Sequence, residues 1–100
     1  MKKSVTTETV FYIILNLKTP GGFESFGQFF VGNNAEFANN IFQKLKGNKT
    51  VDDSAVITLE LRETRQGLPF NLQIISCSLQ EIAENCKIIT REAFTLFNLK

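Results

Sequence analysis

Residues 8–18, ETVFYIILNLK, and residues 23–31, FESFGQFFV, flank the tetrapeptide Thr19-Pro20-Gly21-Gly22. Two β-branched and aromatic runs around a proline-glycine turn commit the first third of the chain to an antiparallel hairpin. Pro20 at the second position and Gly21 at the third fit a type II turn. With Pro20 and Gly21 as the central turn residues, Leu15 lies opposite Phe26, Tyr12 opposite Phe29 and Phe11 opposite Phe30. Phe11, Ile13, Leu15, Leu17, Phe26 and Phe30 then share the core face. Val10, Tyr12, Ile14, Phe29 and Val31 share the other. A loop one residue longer swaps the faces of the second strand and sets Phe30 beside Tyr12 and Ile14. In either register the hairpin is apolar on both sides.

The segment GNNAEFANNIFQKLKGNK reads as a helix. Asn33 is a cap with Glu36 three residues on. Ala38, Ile41, Phe42 and Leu45 form the buried stripe, and Gly47 closes the helix. After the polar loop NKTVDDS, residues 55–64 alternate, with Ala55, Ile57, Leu59 and Leu61 on one face and Thr58, Glu60 and Arg62 on the other. That pattern is a half-buried antiparallel strand. RQGLP is a turn, and residues 70–77 return with Phe70, Leu72 and Ile74 on the inner face and Asn71 and Gln73 outward, Ile75 standing outward at the strand end. Ser78 and Glu81 form a second capping box. It opens a long helix striped by Leu79, Ile82, Ala83, Cys86, Ile89, Ala93 and Leu96 and ending near Asn98.

The expected fold is a single α+β domain over residues 1–100. It is a ββαββα two-layer sandwich, a four-stranded antiparallel sheet with two helices on one face. The ββα halves run over about residues 8–47 and 55–98. Phe37-Ala38-x-Asn40-Ile41 matches Ile82-Ala83-x-Asn85-Cys86, which fits an internal duplication or two solutions to one packing problem. The order differs from the βαββαβ of ferredoxin-like RNA-binding domains.

Chemistry is scarce. The chain has no histidine, so His-dependent nucleophilic mechanisms and His-containing metal sites are excluded. Cys77 and Cys86 do not make a disulfide framework and provide at most two ligands, so no metal and no cofactor is expected. Both read as reduced thiols, which places the protein in the cytoplasm. Cys77 sits just before a helix cap, where a thiolate can be activated, but no resolving partner is evident. GxxxxG at Gly22–Gly27 is followed by Gln28 and Phe29 instead of the Lys and Ser/Thr of a phosphate loop. Gly32-Asn33-Asn34 could bind an anion, but a capping asparagine already occupies those N–H groups. The acid pairs Asp52-Asp53, Glu60/Glu63 and Glu81/Glu84 read as solvated or capping groups. Lys87 and Arg91, one turn apart, read as a solvated face. No catalysis is expected.

Eleven Lys and Arg against ten Asp and Glu give a formal charge of +1, so no basic footprint for nucleic acid is present. The opening MKK followed by an apolar run is interrupted by SVTTET and reads as the approach to a strand, not as a leader. No run approaches the ~18 apolar residues of a membrane span.

Two helices cover one face of a sheet. The outer face of the first hairpin (Val10, Tyr12, Ile14, Phe29 and Val31) therefore calls for another partner. The function expected is a protein-interaction module, a homodimer or a complex with another protein. The alternative is a small apolar or aromatic ligand in a pocket between sheet and helices, lined by Phe11, Phe26, Phe37 and Phe42.

Overall fold

A computed structural model describes residues 9–98. The expectations for Lys2-Lys3 and for a strand beginning at Glu8 lie outside the described residues. The elements are β1 (Thr9–Thr19), β2 (Gly22–Phe30), α1 (Ala35–Gln43), β3 (Ile57–Arg65), β4 (Leu68–Ser76) and α2 (Leu79–Asn98). The strands form one antiparallel sheet in the order β2-β1-β3-β4. The ββαββα order and α+β class are as the patterning predicts.

The core lies between the sheet and the helices. Phe11 and Ile13 of β1, Leu59 and Leu61 of β3, and Ile75 of β4 meet Ala38, Ile41 and Phe42 of α1 and Ile89 of α2. Burying that many large side chains at about 1.5–3 kcal/mol each is the main driving force of the fold. No helix among the described residues is both long and apolar enough to cross a membrane.

The first turn is centred on Pro20-Gly21, with Thr19 opposite Gly22. Positive φ falls on Gly22 (111°) and not on Gly21, so the type II turn is not the one formed. Thr19 Oγ1 instead accepts from Gly21 N–H and donates to Gly22 O. Four pairs beyond the turn a bulge inserts Phe26 between Ser25, opposite Asn16, and Gly27, opposite Leu15. Every later residue of β2 is thereby moved to the other face. Phe30 pairs with Tyr12, and Phe29 pairs with Ile13 on the helix side. The placement of Phe29 and Val31 on the outer face is corrected accordingly. Val31 is fully buried in the core and Phe29 packs against it.

The second hairpin repeats the device. Its turn is Gln66-Gly67, and four pairs on a bulge inserts Leu72. Phe70, Leu72 and Ile74, expected inside, are exposed, and Ile75 is the buried residue. Gln73 turns to the helix side, where it exchanges side-chain hydrogen bonds with Asn39 and Gln43 of α1. Both bulges lie on edge strands, where a kink makes an exposed strand a poorer template for unwanted pairing.

The cap of α1 is Asn34, whose Oδ1 accepts from Phe37 N–H at 2.8 Å, so the helix starts one residue later than expected. It also stops earlier, at Gln43, with Lys44 as its C-cap. Gly47 is therefore not the residue that closes it. The capping box of α2 forms in both directions, Glu81 N–H to Ser78 Oγ and Ser78 N–H to Glu81 Oε1. The matched residues of the two helices do not share environments. Ala38 is buried and Ala83 exposed, while Asn40 is exposed and Asn85 buried.

Candidate interaction surface

The sheet face opposite the helices is less open than its apolar residues suggest. Val10 and Tyr12 are half-buried, and Ile14 is 1% exposed. With Phe29 and Val31 on the core side, none of these five residues is exposed. Beside Ile14 the face is polar. Glu60, 7% exposed, accepts from Asn16 Nδ2 at 3.3 Å and from Arg62 at 3.4 Å. Asn16 Nδ2 also reaches Thr58 Oγ1, and Arg62 Nε donates to Asn71 Oδ1. Sequence alternation marks Thr58 and Glu60 as outward but cannot show that they are buried in a satisfied network.

Exposed apolar side chains occur along the edge strand β4, at Leu68, Phe70, Leu72 and Ile74, and they also gather where the other edge strand, β2, meets α2. Phe30 stacks on Phe97, with centroids 5.7 Å apart and planes 10° from parallel, and its other neighbour is Tyr12 at 5.5 Å. Phe29, Phe30, Ala93, Phe94 and Phe97 wall a groove of about 410 Å³ floored by Ile89. Phe30 is 44% exposed, Phe94 55% and Phe97 46%. The pocket expected from Phe11, Phe26, Phe37 and Phe42 is not this one. Phe11 and Phe42 fill the core, Phe37 packs on it, and Phe26 projects from the bulge into solvent.

The helix explains the exposure. The apolar stripe expected on α2 divides in the fold. Ile82, Asn85, Ile89 and Leu96 face the body, while Leu79 and Ala83 face away, with Cys86 half-buried between. Lys44 pairs with Glu92 at 3.2 Å on the inner side. A helix apolar on more of its circumference than its own domain covers is the sign of a second contact. Phe94, one position off the expected stripe, is the signal in the sequence that the stripe was too wide.

The remaining candidates are structural. Cys77 is buried at the start of α2. Its thiol lies 3.4 Å from Lys46 O, and Asn85 Nδ2 approaches the sulfur at 3.6 Å. Burial first, and then the Glu81 carboxylate, push the thiol pKa up to about 11 from 9.0, against the opposing Asn85 hydrogen bond. A thiol held protonated is a poor nucleophile. Because the folded state prefers the neutral form, this contribution is complete below pH 9 and is lost as pH rises to about 11. Unfolding titrations should show about 2 kcal/mol of stability lost over that window. Cys77→Ala, though less stable at neutral pH, should show a flatter alkaline limb. An equally steep limb in the variant would remove Cys77 as the cause.

Asp52 closes its own loop. It accepts from Ser54 Oγ at 2.6 Å and Ser54 N–H at 2.9 Å, which holds its carboxyl below the usual value. Glu81 caps α2 as expected, whereas the pair expected to be solvated is not: Glu63, half-buried, pairs with Arg65 at 2.9 Å, and Glu60 is buried. Among the described residues no three Cys, Asp or Glu side chains are grouped to hold a metal ion. No protein-family model, curated protein or solved structure matches this chain.

Proposed function

We propose that the chain is a small interaction module that associates with a second copy of itself, using the outward side of α2 and the adjoining Phe30. The observation that carries this reading is the convergence of Phe30, Phe94 and Phe97, each about half exposed, on one apolar groove. Leaving three aromatic rings in water forgoes roughly 1–2 kcal/mol apiece that a partner surface would recover. Self-association is the commonest use of such a surface. No catalysis is part of this reading. The two free thiols are compatible with a reducing compartment such as the cytoplasm, which is the location this reading proposes.

Phe94→Asp is the direct test. The side chain is exposed, so the variant should melt within a few degrees of the parent. Its self-association should weaken at least tenfold, read by sedimentation over a concentration series. A variant that associates like the parent would place the contact elsewhere.

A second reading follows from the groove itself. Its volume suits a small aromatic ligand stacked against Phe30 and Phe97, with Gln28, Thr90 and Asn98 at its margins. A thermal-shift screen of planar aromatic compounds separates the readings. A ligand that raises the melting temperature of Phe94→Asp less than that of the parent would favour it.

A further inference from the structure

The outward side of α2 carries a size pattern that selects one way of pairing. Between Ala83 and Phe97 five residues share it: Ala83, Cys86, Thr90, Phe94 and Phe97; the exposed Leu79, one turn before Ala83, extends the same face beyond this span. Cys86 and Phe94 each stand four residues from Thr90, and Ala83 and Phe97 each stand seven. Steps of three and four keep all five on one helix face. The pattern is antisymmetric in size: the two residues before Thr90 are small and the two after it are large. Cys86, Thr90 and Phe94, flanked by Lys87 and Arg91, also line a shallow trough of about 530 Å³.

We infer that α2 pairs with α2 of a second copy, antiparallel, about a two-fold axis passing at Thr90. This inference rests on the self-association proposed above. In that arrangement Phe94 of each copy enters the trough at Cys86 of the other, and Phe97 lies over Ala83. Between Ala83 and Phe97 every large side chain meets a small one, Leu79 falls beyond the end of the partner helix, and each contact occurs twice, as an isologous interface requires. A parallel pair would set Phe94 against Phe94 and Cys86 against Cys86, splaying one end and leaving a void at the other. Antiparallel helices also oppose their dipoles favourably.

The contact is modest. Phe94, Phe97 and the trough floor offer roughly 250–350 Å² per copy, well below the ~800 Å² per partner of a standard interface. Lys87 and Arg91 lie on one flank of the helix and fall on the same side of the pair as their counterparts. Their repulsion is relieved by salt. The dimer should therefore be concentration-dependent and should tighten several-fold as salt is raised.

Cysteine cross-linking tests the geometry. In an antiparallel pair only a residue on the axis meets its own copy. Thr90→Cys in a Cys86→Ala background should form a covalent dimer under mild oxidation. Asn98→Cys in the same background should not, because two such residues would stand about 24 Å apart along the helices and a disulfide needs Cα atoms within about 7 Å. Cross-linking at position 90 alone supports the pairing. A dimer by light scattering that fails to cross-link at 90, or that cross-links equally at both positions, overturns the pairing and leaves self-association standing. A chain that stays monomeric at every concentration overturns both.

Discussion

Asn85→Ala should destabilise the folded chain by about 3 kcal/mol, the largest loss expected from any single polar side chain here. Asn85 lies on the inner side of α2 and is 0% exposed. Its Oδ1 accepts from Lys46 N–H and its Nδ2 donates to Lys46 O, both at 2.8 Å. One side-chain amide thus satisfies both polar groups of a residue in the segment leaving α1, as a neighbouring strand would. Truncation strands the Lys46 N–H and the protein loses the stronger of two donors to Lys46 O, which keeps only the Cys77 thiol at 3.4 Å, and an unmade buried hydrogen bond carries a desolvation penalty of about 1–3 kcal/mol. Some relief from water reaching the site keeps the total near the lower end. For a domain of this size the melting temperature should fall by roughly 15 °C. Asn40→Ala, at the matched but exposed position of α1, should change stability by less than about 0.5 kcal/mol. Equal effects at the two positions would show that the Lys46 clamp contributes little.

Gly47→Ala, one residue further on, should lower stability by about 2–3 kcal/mol. The reason is space and not backbone conformation, because Gly47 does not adopt positive φ. A Cβ at this position would stand 2.7 Å from Ser76 O, 3.0 Å from Ile75 Cδ1 and 3.2 Å from Cys77 Sγ. The carbonyl cannot yield easily. Asn48 and Ser76 exchange backbone hydrogen bonds of 2.8 and 2.9 Å that hold the exit of α1 against the end of β4. Gly27→Ala is the control. Nothing lies within 4 Å of its Cβ position, so the change should be neutral or mildly stabilising. Chemical denaturation of the two variants decides the matter, and a Gly47→Ala protein as stable as the parent would mean that the junction can open without penalty.

Both predictions concern one junction, where the exit of α1, the end of β4 and the inner side of α2 meet around Lys46, Gly47 and Cys77. It orients α2, and thereby decides which side of that helix faces away. The exposed side of α2, proposed above as the contact surface, is in this sense set by a glycine and an asparagine that are not part of it.

Local signals carried the element order. β-Branched runs around Pro20-Gly21, the alternation from Ala55 to Leu61, and Ser78 with Glu81 each dictate their own structure within a few residues. The bulges at Phe26 and Leu72 were not legible, because neither residue has a preference for the extra position. They arise from fitting an edge strand to its neighbour. Since side chains alternate along a strand, each bulge reversed the faces of everything beyond it, carrying Phe29 and Val31 inward and Phe30 outward. Asn85 was hidden for another reason. A polar residue beside an apolar stripe reads as solvent-facing, and its partner, Lys46, lies 39 residues away. Gly47 imitated a helix-closing glycine while serving a close approach that only the folded chain creates. The proposed contact surface was not legible. The sequence pointed to the outer face of the first hairpin, through Val10, Tyr12, Ile14, Phe29 and Val31, whereas the exposed rings of Phe30, Phe94 and Phe97 depend on the bulge and on the rotation of α2.

The solution mass of the unmodified chain, measured by light scattering across a wide concentration series, tests the central claim most directly. A mass that climbs from monomer toward twice that value, at lower concentrations when salt is raised, is the expected result. A mass that stays at the monomer value throughout would contradict self-association.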